Sequence, residues 1–128
     1  MKIKLGLAIA TLALITACKS LVPVMDINNH AVVKESSLQN VEKAILAGAA
    51  TRGWTPRVVK PGHITASINV RSKHQAVVDI FYTAQDYSIK YNQSYGLKYD
   101  ASSREIHPNY NNWMVHLKNS INAELYKL

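Results

Sequence analysis

Cysteine is almost missing from this chain: its 128 residues contain one, Cys18. A single thiol closes no intramolecular disulfide and builds no Cys-based zinc site. A chain of this length makes one domain with its own core, so it needs no disulfide framework. Acidic side chains are also scarce. Eight Asp and Glu stand against 15 Lys and Arg, a formal net charge of +7. No Lys/Arg run accompanies that excess, so the mark of a nucleic-acid-binding arm is absent and no nucleic-acid partner is expected. No uncharged apolar run reaches the ~20 residues that a bilayer-spanning helix needs. The hydrophobic share of 48% fits a globular protein rather than a disordered one.

The apolar run that does exist lies at the start. Lys2 and Lys4 precede an uncharged, mostly apolar stretch from Leu5 to Ala17. A charged start, a short apolar stretch and small residues at its end describe a secretory signal peptide. Ile15-Thr16-Ala17-Cys18 resembles the lipobox of bacterial lipoproteins. The resemblance implies that residues 1–17 are removed and that Cys18 becomes a lipidated N-terminus. Lys19, being other than Asp, implies the outer rather than the inner membrane. Burial of acyl chains contributes about 0.8 kcal/mol per CH₂, and two chains anchor stably. Loss of residues 1–17 removes two lysines and no acid, which lowers the net charge to +5 on 111 residues.

Beyond Cys18, residues 18–34 read as a tether, with at most a short extended piece around Val22–Ile27, because Pro23 discourages helix. Residues 35–128 read as one α+β domain. Ser36-Ser37-Leu38-Gln39 looks like a capping box with Ser36 as N-cap. Leu38, Val41, Ile45 and Ala49 then form a helical apolar face that stops at Gly53. Small Gly48 and Ala49 predict a close helix–sheet contact.

Four strands follow. Trp54–Lys60 ends at Pro61-Gly62, and Pro56 marks it as an edge. Ile64, Ala66, Ile68 and Val70 alternate with polar residues, and Ala76, Val78, Ile80 and Tyr82 form the next apolar row. A slip of one residue exchanges the two faces of a strand, so antiparallel partners here must sum to an even number. A three-residue turn after Val70 satisfies this. A two-residue turn at Ser72-Lys73 would set Asp79 opposite Ala66. The loop Thr83–Asp86 pairs Tyr82 with Tyr87 and Ile80 with Ile89, and it sets Asp79 opposite Lys90 as an ion pair. Tyr87, Tyr91, Tyr95 and Tyr99, spaced by four, fall on one face if the strand extends that far. Tyr110, Trp113, Leu117, Ile121 and Leu125 stripe a final helix. The expected fold is a four-stranded antiparallel meander with an N-terminal and a C-terminal helix packed on one face.

Gly53-Trp54, the strand from His63 to Arg71, Tyr87-Ser88-Ile89-Lys90-Tyr91, Ile106-His107 and Tyr110-Asn111-Asn112-Trp113 resemble a family of small proteobacterial exported proteins and lipoproteins. The resemblance runs over roughly residues 38–125. It implies a fold consistent with this one and supplies no catalytic residues.

The residues offer little chemistry of their own. His63 and His74 stand at opposite ends of one strand, about 25 Å apart at ~3.3 Å per residue, so they cannot share a metal. No HExxH, Gly-x-Ser-x-Gly or phosphate-cradling glycine pattern occurs. No metal, cofactor or enzymatic activity is expected. His107 suits a local cap. The expected function is a non-enzymatic envelope module that uses the sheet face away from the helices. That face carries Thr65, Ser67, Asn69, Val77, Asp79, Phe81, Ser88, Lys90 and Asn92, of which Val77 and Phe81 are apolar. The partner is an envelope protein or glycan. Two other readings stand beside it: a binder of anionic glycan or lipid headgroups, and an inhibitor or immunity protein against a cell-wall hydrolase. Cys18→Ala is expected to move the protein from the membrane pellet to the soluble fraction on cell fractionation. A variant that stays in the pellet and is processed normally contradicts the lipoprotein reading.

Overall fold

The computed structural model describes residues 20–128. Cys18, the lipobox and the signal segment lie outside the described residues. The chain order is β1 (Val22–Pro23), β2 (Ile27–Ala31), α1 (Leu38–Thr51), β3 (Thr55–Lys60), β4 (His63–Val70), β5 (His74–Tyr82), β6 (Asp86–Tyr95), β7 (Glu105–Ile106) and α2 (Pro108–Leu125). The fold is α+β: two helices and a five-stranded antiparallel sheet in the order β2-β6-β5-β4-β3. No helix among the described residues is long and apolar enough to cross a membrane.

The sheet has one strand more than the sequence pattern indicates. Residues expected to form a tether instead close it. β2 pairs antiparallel with β6, placing Ile27 opposite Ile89 and His30 opposite Tyr87. β1 pairs with β7, and Asn111 of α2 clamps the connection: its side chain accepts from the Met25 backbone N–H and donates to the Pro23 carbonyl, both at 2.9 Å. β2 escapes notice in the sequence because it does not alternate. Asn29 takes a left-handed φ of 45°, the register shifts between Ile27 and His30, and only Ile27 is buried.

α1 starts one residue later than the capping box suggests. Ser37, not Ser36, is the N-cap, and its Oγ accepts from the Asn40 N–H at 3.1 Å. Gly53, at φ 82°, ends the helix as expected. α2 begins with Pro108 and is capped by His107, whose ring nitrogen accepts from the Asn109 N–H at 3.0 Å. Val41, Ile45 and Ala49 of α1 and Tyr110, Met114, Leu117 and Ile121 of α2 join Ile64, Ala66, Val78, Ile80, Tyr87 and Ile89 in one core. Two core phenols bond to helix side chains: Tyr82 donates to Glu42 and Tyr87 to Asn122, at 2.8 and 2.7 Å. Burial, helped by the bond to Glu42, pushes the Tyr82 phenol up to about 12, and burial also raises Tyr87 and Tyr110.

The hairpin registers agree with the parity argument. Val70 pairs with His74 across a three-residue turn, and Tyr82 pairs with Tyr87, Ile80 with Ile89 and Asp79 with Lys90. Arg71 and Ser72 in the turn both adopt positive φ. The close approach expected at Gly48 is to the other helix rather than to the sheet. A Cβ built on Gly48 would lie 2.6 Å from the Ile121 Cα. Backbone on both sides leaves nothing flexible to give way. Gly48→Ala is therefore expected to destabilise the fold by about 1–3 kcal/mol, despite a gain of ~1 kcal/mol in helix propensity. The midpoint of urea unfolding measures it, and an unchanged midpoint contradicts the close helix crossing.

Candidate functional site

Sheet parity sorts the strand residues onto two faces. The even positions of β4 and β5 enter the core. The odd positions form an outer face that neither helix covers, and all of the partner-binding residues expected from sequence lie there. They do not form one patch. Asp79, at its centre, separates Val77 from Phe81 along β5.

The Asp79 carboxylate is a hub. It accepts from His63 Nε2 at 2.8 Å, from Asn92 Nδ2 at 2.9 Å and from Thr65 Oγ1 at 3.4 Å. Lys90 stands directly opposite in register, yet its ammonium donates to the Asn28 side chain of β2. The expected Asp79–Lys90 ion pair is therefore replaced by two separate attachments. The physical reason is the added edge strand: β2 brings an acceptor to Lys90, while His63 and Asn92 reach Asp79 first. Phe81 is 45% exposed and stacks on the His63 ring, with centroids 4.6 Å apart. It thus belongs with the Asp79 hub at one corner of the sheet.

Val77 belongs to a different neighbourhood. It is half-buried in a groove of about 490 Å³ with Thr55, Arg57, Thr65, Ser67, Asn92 and Gln93. A contiguous hollow of about 240 Å³ adds Gln75, Ser94 and Tyr95. Tyr95 is the residue that sequence reasoning misplaces. The pairing of β6 with β5 runs from Tyr91 opposite Val78 to Gln93 opposite Val77, so Asn92 is an extra residue, a β-bulge. The bulge reverses parity beyond it. Tyr95 pairs with Gln75 on the outer face and is 69% exposed, whereas Tyr87 is buried. Tyr91 stays on the core side, stacked on Tyr99 at 4.1 Å. The polar run Asn92-Gln93-Ser94, which breaks the alternation, is the only trace of the bulge in the sequence.

The titratable groups are dispersed. His74 bonds the Gly96 carbonyl at 2.9 Å, His30 meets Asn122 at 3.1 Å, and His116 faces Arg52 at 3.5 Å. Among the described residues no group of three or more His, Cys, Asp or Glu is arranged to hold a metal.

Asp79→Ala strips an acceptor from three donors and is expected to cost about 1–3 kcal/mol of stability. Lys90→Ala is expected to cost less than ~0.5 kcal/mol, as for most surface substitutions. Urea unfolding of both variants checks this, and equal costs contradict the hub. Compared with protein-family models, curated proteins and solved structures, the chain gives no significant match.

Proposed function

We propose that this protein is a lipid-anchored, non-enzymatic binding module of the bacterial cell envelope. In this reading Cys18 carries the lipid, Lys19 directs the protein to the outer membrane, and an envelope protein partner docks on the outer face of the sheet. The supporting observation is the uncovered groove around Val77, onto which the bulge at Asn92 turns an exposed Tyr95. An exposed aromatic beside a half-buried aliphatic, ringed by Thr65, Ser67, Gln75 and Gln93, has the make-up of an interface centre with a polar rim. Arg57 at one end of the groove adds a charge suited to an acidic group on the partner. Phe81 and Lys90 lie outside this centre and serve as its margin.

A photoreactive residue at position 77 or 95, in intact envelopes, is expected to give one discrete protein adduct. The same residue at position 43 or 47, on the exposed side of α1, is expected to give none. The adduct should persist at high salt, because apolar contacts are not screened. An adduct lost steeply with salt would point instead to an anionic glycan or headgroup held by charge. No adduct at 77 or 95 overturns the proposed face.

A further inference from the structure

Both tryptophans of the chain line one cleft, on residues that the outer sheet face does not use. Trp54 follows the stop of α1 and is buried, while Trp113, near the start of α2, is half-buried. With Ile68 of β4 they form the apolar walls of a space of about 180 Å³. Its polar lining consists of Arg52 and His116, both exposed. The Arg52 Nη2 lies 3.5 Å from the His116 Nδ1. Arginine is always a donor, so the imidazole nitrogen is the acceptor in this contact. The remaining guanidinium N–H groups are donors at one mouth of the cleft. No carboxylate lines the cleft, and no ion pair among the described residues engages Arg52.

We propose that this cleft binds an acidic sugar, with its carboxylate on Arg52, whose guanidinium His116 steadies, and its ring against Trp113. The guanidinium fork matches a carboxylate in a bidentate arrangement. The C–H face of a pyranose is apolar and flat, which suits an indole beside an isoleucine. The space is smaller than the ~300–1,000 Å³ of drug-sized pockets, so it takes one ring rather than a chain of several. The site is independent of the Val77 groove, so either can fail without the other.

Because both tryptophans line the cleft, intrinsic fluorescence reads its occupancy directly. The full chain in a non-ionic detergent is titrated with N-acetylmuramic acid. N-acetylglucosamine supplies the ring without the carboxylate, lactate the carboxylate without the ring, and inorganic phosphate an anion alone. N-acetylmuramic acid is expected to give a saturable change in emission. The three other probes are expected to bind at least ~tenfold more weakly, the loss of one charge-assisted contact or of the ring stacking. Arg52→Gln is expected to weaken the acid sugar by about tenfold with an unchanged circular-dichroism spectrum. The Arg52 cap of α1 uses backbone only, so the helix end does not depend on that side chain. His116→Gln, on the other helix, is expected to weaken binding in the same direction. The proposal is overturned by an absent or non-saturable response. Neutral sugar, lactate or phosphate binding as tightly as the acid sugar also overturns it, and so do Gln variants that bind as the parent does.

Discussion

The pairing of β5 with β6 decides which side chains this protein shows and which it hides. β5 sits in the middle of the sheet, so its register with β4 and β6 fixes the parity of three strands at once. From Tyr82–Tyr87 to Val78–Tyr91 the pairing is regular, and the apolar row closes over the helices. One extra residue, Asn92, then reverses the faces. A bulge costs a ladder position, but it also re-aims every side chain after it. Here it turns Tyr95 away from the core and onto the groove beside Val77. The same residue spends its side chain on Asp79, 2.9 Å away. Asn92 thus belongs at once to the hub that orders one half of the outer face and to the irregularity that builds the other half.

The helices depend on that register in turn. The even row can be covered only if α1 and α2 lie side by side, and Gly48 against Ile121 sets how close they come. One phenol attachment fixes each helix over its strand: Tyr82 to Glu42 of α1 and Tyr87 to Asn122 of α2. These phenols are register partners at the closed end of the β5–β6 hairpin. Each helix is therefore tied to the same rung of the sheet, which converts a strand register into a helix placement.

The parts of this fold that could be read from the sequence are those with strong alternation and a hard steric constraint. β4 and the first half of β6 alternate apolar with polar residues, β5 keeps an unbroken apolar even row, and only even-sum pairing keeps Asp79 out of the core. The turns then follow from counting. The parts that could not be read break the period. β2 has one buried residue, a left-handed Asn29 and a shifted register, so it looks like linker. The bulge at Asn92 hides in a polar run, and so Tyr95 was expected with Tyr87 and Tyr91. The Asp79–Lys90 pairing was right as register and wrong as chemistry. Register specifies which Cα atoms face each other, whereas the side chains choose among all neighbours, and β2 supplied one that the sequence pattern did not reveal.

That hidden edge strand also changes the geometry of the proposed anchor. With a tether of residues 18–34 the domain would drift many residues away from its lipid. With β1 starting at Val22, only three residues lie between it and Cys18, at most about 14 Å of extended chain. β1 pairs with β7, and the His107 N–H just beyond β7 bonds the Leu97 carbonyl, two residues past the end of β6. If Cys18 carries a lipid as proposed, so short a leash would hold the Tyr95 end of the sheet toward the membrane. Asn111 of α2, which clamps Pro23 and Met25, stands two residues before Trp113, so the tryptophan cleft lies at that end too. Phe81, His63 and the Asp79 hub lie toward the opposite end. Of Val77 and Phe81, Val77 is the one whose neighbourhood a lipid on Cys18 would keep close to the bilayer surface, and it is the one with the groove.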